Sequence, residues 1–236
     1  MRPSNKNPQV VVLFDIDYTL FDLDKFKKKL FQEIAKKIDS DSKSDIEKIL
    51  QDLYIASRRA TGYFHPKIFI KDLIQKLNIK IEPDALAREI FKESVFLGNL
   101  YKETEYVLKI LSKNKLLKIG IFSGGFKGFQ TKKIKIIKDF LHKEHIHIFV
   151  FKEKELPSVI KKYKKGYKLY VVDDMYQILY AAKKINKKIF TIWIKRGRFA
   201  DTQSDILGFV PDATILNLKE VIKLVQHPES SGQARG

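Results

Sequence analysis

The chain has no cysteine. Disulfides, thiolate catalysis and cysteine-based zinc or iron–sulfur sites are therefore excluded, and a reducing cytoplasm is compatible with that absence. No apolar run approaches the roughly 18–20 residues of a membrane span. The first residues, Met1-Arg2-Pro3-Ser4-Asn5-Lys6-Asn7, are polar and lack the apolar region of a signal peptide. These absences predict a cytoplasmic protein with no membrane partner. Arginine is scarce, at seven of 46 basic residues, although the net charge reaches +18. Such a charge invites a nucleic-acid reading, because cations neutralise phosphates. Groove readers, however, concentrate arginine and aromatics on one element. Here lysines scatter over most predicted helices, in short runs such as Lys27-Lys28-Lys29 and Lys161-Lys162. A lysine bias on solvated faces explains the charge better than nucleic acid does.

What is present is enough chain for one sizeable core, or for a core carrying a smaller insertion: 236 residues, 44% hydrophobic and 31% charged. The organising stretch is Val10-Val11-Val12-Leu13-Phe14-Asp15-Ile16-Asp17-Tyr18-Thr19-Leu20. Its apolar part reads as a strand buried on both faces, as in a parallel sheet. Residues two apart on a strand share a face. If extended geometry persists, Asp15 and Asp17 both point into the crevice beyond the strand's carboxyl end, where open α/β sheets bind ligands. Two adjacent carboxylates repel, so a hard cation such as Mg²⁺ suits them.

From residue 21 to 102 the pattern is helical. Phe26, Leu30, Ile34 and Ile38 form one stripe, and Ile46, Ile49, Leu50 and Leu53 a second behind a cap at Ser44 or Asp45. Pro66 opens a third helix with Ile70, Leu73, Ile74 and Leu77. Pro83 opens a fourth with Leu86, Ile90, Phe91 and Val95. This predicts an all-helical domain inserted straight after the first strand. Beyond it, helices near 103–113, 128–142, 157–164 and 175–186 alternate with strands over 118–122, 147–151, 168–172 and 189–194. A short strand at 213–216 and a helix over 218–225 close the pattern. The prediction is an α/β, Rossmann-like parallel-sheet core (8–20 and 103–226), a helical cap (21–102) and disordered tails (1–7 and 227–236).

Strand ends then carry Asp15 and Asp17, Ser123, and Asp173-Asp174, with the basic segment Lys152-Glu153-Lys154-Glu155-Leu156-Pro157 between the last two. Acids for a cation, a hydroxyl donor and an ammonium are what a phosphoryl group requires. These residues resemble, in order, the four motifs of the haloacid dehalogenase-like hydrolase superfamily, whose members are mostly phosphatases. Asp15-Ile16-Asp17-Tyr18-Thr19-Leu20 is similar to the first motif, Ser123 to the second, Lys154 to the third, and Val171-Val172-Asp173-Asp174 to the acidic fourth. The insertion lies where the family places a C1-type cap, and the resemblance runs from about Val10 to Val225.

The resemblance implies a phosphatase acting on a small phosphorylated metabolite, expected as a monomer. Asp15 would be the nucleophile that becomes an aspartyl phosphate, and Asp17 the acid for the leaving oxygen and the base for water. Ser123 and Lys154 would hold phosphate, with Lys152 as competitor for the lysine role. Mg²⁺ would bind the Asp15 carboxylate, the Asp17 backbone carbonyl and Asp174. Asp17 favours ester chemistry over dehalogenation, since relatives that cleave carbon–halogen bonds usually lack this acid. The family's second acid, four residues on, is here Ile178, and Asp173 replaces a glycine. Because adjacent strand residues face opposite sides, Asp174 is expected as ligand and Asp173 as its support. A phosphomutase of the same fold and a non-catalytic basic nucleic-acid-binding module stand as alternatives. Arg58-Arg59 would clamp a substrate anion or decorate a helix end. His65 belongs to the turn before Pro66, and Trp193 to the core. Lys195-Arg196-Gly197-Arg198 resembles a loop common in these hydrolases.

Overall fold

The computed structural model describes residues 9–38, 43–163, 166–203 and 205–226. The tails expected to be disordered lie outside them. The described residues form two compact units, one within 9–22, 100–124 and 137–226, the other within 23–99 and 125–136.

The first unit is built on six parallel strands: β1 (Gln9–Phe14), β2 (Leu117–Gly124), β3 (Ile146–Phe149), β4 (Tyr167–Asp173), β5 (Phe190–Ile194) and β6 (Ala213–Ile215). Their order is β3-β2-β1-β4-β5-β6, so this is a Rossmann-like α/β sheet. The order reverses at β1, the place where such sheets bind ligands. Val11, Val12, Leu13 and Phe14 are all buried, as a strand covered on both faces requires. Register pairs Val11 with Leu169 and Leu13 with Val171. These four side chains share one cluster with Leu156, Val159 and Ile160 from α8 (Lys152–Lys161), and with Ile178 and Leu179 from α9 (Tyr176–Ile185). Ile178, at the position where the family often has an acid, is therefore core.

The second unit holds α1 (Leu23–Ile38), α2 (Lys43–Thr61), α3 (Pro66–Leu77), α4 (Pro83–Ile90) and α5 (Glu93–Phe96). The first unit adds α6 (Thr104–Ser112) and α10 (Lys219–Gln226). α2 begins at Lys43, so Ser44 and Asp45 sit in its first turn and not ahead of it. His65 caps α3, its Nδ1 accepting from the Ile68 N–H at 3.4 Å. The fourth predicted helix breaks after Ile90, where Phe91 leaves the helix to join an aromatic cluster. Residues 125–136, read from sequence as core, group instead with the helical unit. They contain most of α7 (Lys127–Ile137), and Phe129 is the reason. Its ring lies 4.8, 5.2, 5.5 and 6.2 Å from those of Phe91, Phe96, Phe64 and Phe26.

The far end of α8 is pinned by a buried network. Tyr163 Oη lies 3.0 Å from His145 Nδ1 and 2.8 Å from His147 Nε2. One hydroxyl donates to one neutral ring and accepts from the other. Burial, with Lys162 and His145 nearby, pushes His147 down to about 4 from its ordinary 6.5. Burial lowers His145 as well, against Glu144 and with His142 and Lys118. The unfolded chain therefore takes up the His147 proton first. Its contribution to stability is complete above pH 6.5 and lost as pH falls toward 4, by about 3 kcal/mol at most. Urea unfolding at pH 7 and pH 4.5 checks this: wild type should lose more stability across that interval than His147→Gln, which cannot titrate there.

Candidate functional site

The residues singled out by sequence come from four neighbouring strand ends. β1 stops at Phe14, so the extended geometry expected to carry Asp15 and Asp17 to one face does not persist. A tight turn follows instead. The N–H groups of Thr19, Leu20 and Phe21 converge on the Ile16 carbonyl at 3.3, 2.9 and 2.8 Å, and Tyr18 takes a left-handed φ of 59°. Asp15 is buried and Asp17 half-buried. The carboxylates that converge are those of Asp15, Asp173 and Asp174, which offer oxygens within 4.8 Å of one another; Asp17's carboxylate is not in this set.

The lysine in the site is Lys152, not Lys154. Its Nζ lies 3.0 Å from Asp15 Oδ1 and 2.6 Å from Asp173 Oδ2, and its side chain is buried. The sequence read 152–156 as a segment before a helix opening at Pro157, but the helix starts at Lys152 and takes Pro157 inside it. At about 100° per residue, a side chain two positions on lies on the other side of the helix. Lys154 is accordingly exposed, its Nζ 5.0 Å from the centre of the Phe151 ring. Gly124 makes room for the lysine stem, since a Cβ there would stand 3.3 Å from Lys152 Cγ.

The paired acids have different tasks. β4 ends at Asp173, so the alternation that would send the two side chains apart stops before Asp174, and both reach Asp15. Asp173 is fully engaged: Oδ2 accepts from Lys152 and Oδ1 from the Met175 N–H at 2.9 Å. Asp174 is buried, and its Oδ2 has no hydrogen-bond partner among the described residues. A buried, unpartnered carboxylate oxygen is costly unless something absent completes it. The Ser123 hydroxyl is likewise buried without a completed hydrogen bond, although it lies close enough to Asp15 to favour its ionised form weakly.

Burial pushes the carboxyl groups of Asp15, Asp173 and Asp174 up, and their mutual repulsion adds to it while Lys152 opposes it. Burial alone would lower the Lys152 ammonium, but the three acids outweigh that and hold it above its ordinary value. When all are ionised, three carboxylates against one ammonium leave two negative charges in a buried space. A divalent cation with oxygen ligands balances them, so the donor set fits a hard metal ion.

Sequence reasoning missed the residues that hold Asp174 in place. Gln203 Nε2 donates to the Asp174 carbonyl at 2.7 Å and to the Phe199 carbonyl at 2.9 Å, while its Oε1 accepts from the Tyr176 N–H at 2.6 Å. Trp193, read as core, is half-buried and donates from Nε1 to the same Asp174 carbonyl at 3.1 Å. The loop at 195–198 is used for bracing. Arg196 pairs with Glu103 at 2.6 Å, stacks 4.1 Å from the Tyr101 ring centre and donates to the Thr19 carbonyl at 3.4 Å. A side chain at Gly197 would collide with the Tyr18 ring. Arg58 is half-buried and Arg59 exposed, both in the last turn of α2.

No protein-family model and no curated protein matches the sequence. Solved structures do. A protein described as a haloacid dehalogenase-like hydrolase, from Burkholderia xenovorans, superposes with a TM-score of 0.70 at 21% identity, over 92% of this chain and 98% of its own. The HAD-hydrolase YfnB from Bacillus subtilis, bound to magnesium, gives 0.61 at 12% identity, over 93% and 99%. The L-2-haloacid dehalogenase from Xanthobacter autotrophicus with chloropropionic acid covalently bound gives 0.60 at 15% identity, over 93% and 99%.

The two lysines separate by substitution. Lys152→Met leaves buried carboxylates without their ammonium, and losing one partner of a buried pair costs about 3–5 kcal/mol. Chemical denaturation without added metal should show a loss of that order, whereas Lys154→Met should stay within about 0.5 kcal/mol of wild type.

Proposed function

We propose that this chain, which has the haloacid dehalogenase-like fold, is a Mg²⁺-dependent phosphatase that hydrolyses a small phosphorylated metabolite through an aspartyl phosphate on Asp15. The observation that supports it most is the pairing of a lysine-held carboxylate, Asp15, with the unpartnered buried carboxylate of Asp174 within 4.8 Å. Asp15, Asp174 and the backbone carbonyl of Asp17 would hold the metal. When bound, Mg²⁺ neutralises phosphate oxygens and lets an anionic nucleophile approach an anionic ester.

The chain's own residues divide the remaining work. The Asp15 carboxylate attacks phosphorus as the bond from phosphorus to the ester oxygen breaks, and Asp17 gives its proton to that leaving oxygen. Water then attacks the aspartyl phosphate. Asp17 takes the water proton, phosphate departs, and the Asp15 carboxylate is restored. Lys152 keeps Asp15 ionised and oriented, and shares its charge with the phosphoryl oxygens. Ser123 Oγ, buried and without a completed bond, suits one of those oxygens.

The dehalogenase neighbour raises a second reading, displacement of halide from a halo acid. Chloride leaves without a proton, so that chemistry has no use for Asp17. Release of chloride from L-2-chloropropionate at a rate rivalling ester hydrolysis would favour it nonetheless. A phosphomutase would return the phosphoryl group to substrate, which product analysis with a sugar phosphate distinguishes.

Two measurements test the phosphatase reading. Mg²⁺ at about 100 times its Kd should stabilise wild type by about 2.7 kcal/mol, Asp174→Ala by far less, and Asp173→Ala by an intermediate amount in thermal melts. With an aryl phosphate, Asp17→Asn should keep the nucleophile but lose the base for water, slowing turnover about 10²–10⁴-fold. Mass spectrometry should then find a phosphoryl adduct on Asp15, with a burst of released phenol. Asp15→Asn should show neither, and an unimpaired rate in that protein would overturn the mechanism.

A further inference from the structure

The lysines that look scattered in sequence are gathered by the topology. In a parallel sheet every connection that enters a strand arrives at the same edge, opposite the edge that carries the acids. Four such connections end in β2, β3, β4 and β5. They bring Lys113 and Lys115, Lys143, Lys162, and Lys187 and Lys188 to that amino-terminal edge. All six side chains are exposed, and none forms a salt bridge with a described residue. The described residues of the same four connections contribute two acids, Asp139 and Glu144, and the fifth connection, which enters β6, brings Asp212, paired with Lys183 at 2.7 Å.

Strand order spreads these cations out. β3 and β5 stand four spacings apart in the sheet, about 19 Å at about 4.8 Å per spacing. A nucleic-acid strand carries one charge per about 3.4 Å of axis, so that width faces about five phosphates. Tyr167, which opens β4 at the same edge, packs edge-to-face against Tyr163 at 5.4 Å and is 36% exposed, which leaves part of its ring for a base to stack on. Lysine without arginine supplies point charges and no bidentate readout of bases. The exposed apolar side chains nearby, Leu116 and Ile185, are single residues at separate connections and do not make the continuous apolar face of a membrane-binding helix.

We propose that the amino-terminal edge of the sheet is a docking surface for the phosphate backbone of single-stranded nucleic acid, bound without sequence preference. This surface is independent of the phosphatase reading, because no residue in it belongs to the candidate site.

The test uses the full chain and a fluorescein-labelled 20-nucleotide oligouridylate, read by anisotropy between 50 and 200 mM KCl. Wild type should bind with a slope of log K against log salt of about −3.5, from about five contacts at −0.7 each. A variant with Lys113, Lys115, Lys187 and Lys188 all changed to Glu should bind at least about tenfold more weakly at 50 mM, with a slope no steeper than about −1.4 from the two lysines that remain. A control with Lys28, Lys48, Lys71 and Lys76 changed to Glu has the same net charge, +10 in place of +18, and should bind like wild type. All three proteins are compared by thermal melting, so that a folding defect is recognised. Equal weakening in the control would overturn the assignment and leave only bulk charge. So would no binding by wild type at 50 mM, or binding to phosphatidylserine vesicles without binding to the oligonucleotide.

Discussion

A buried ammonium between two carboxylates is the constraint from which the rest of the site follows. Lys152 reaches Asp15 and Asp173 from the first turn of α8, a place where the helix dipole disfavours a cation. Glu153 and Glu155 in the same turn have the sign the dipole prefers. Lys152 is tolerated because two strand ends present acids to it. Those acids in turn are tolerable only because Lys152 is there, since burial raises all three carboxyl groups. The arrangement is stable as a set and fragile in its parts.

That set exists because β1 lies between β2 and β4. Residues separated by more than a hundred positions become neighbours at one edge, and each is placed by a local device. Gly124 clears the path of the Lys152 stem. The turn after β1 gathers three N–H groups on one carbonyl. Gln203 and Trp193 together satisfy the Asp174 carbonyl, so the carboxylate with an open oxygen belongs to a residue whose backbone is held. A rigid backbone behind an unsatisfied side chain is what a site needs if it is to receive a cation without reorganising.

How far the sequence reveals this depends on the range of the interaction concerned. Strands and helices were legible because burial imposes periods of 2 and 3.6, and β1 with its following acids marked the centre of the sheet. The choice between Lys152 and Lys154 was not, because it turns on where α8 begins. Pro157 pointed to a later start, although a helix that opens at Lys152 accommodates it in its second turn. Assigning 125–136 to the core failed for a different reason. Phe129 has no period that announces its partners, and only the fold reveals that they are Phe91, Phe96, Phe64 and Phe26. Gln203 was invisible for the same reason, as one amide in a polar loop.

The acids of the candidate site and the exposed lysines of the connections stand at opposite edges of the sheet, and the helices help to explain it. α8 and α9 begin at the carboxyl edge and end at the amino edge. Their positive dipole ends therefore point toward Asp15, Asp173 and Asp174, and their negative ends toward the connections that carry Lys162 and Lys187. Helix dipoles favour this division but act only within a turn or so, at about 0.3–1 kcal/mol per charge. They justify a lysine or two in a last turn. They do not call for exposed lysines beyond the helix ends, such as Lys115, Lys143 and Lys188, arriving from three separate connections with two acids among the described residues of all four. Like charges that outnumber their counter-charges repel one another at a cost to the folded chain, a cost that the proposed anionic partner would remove.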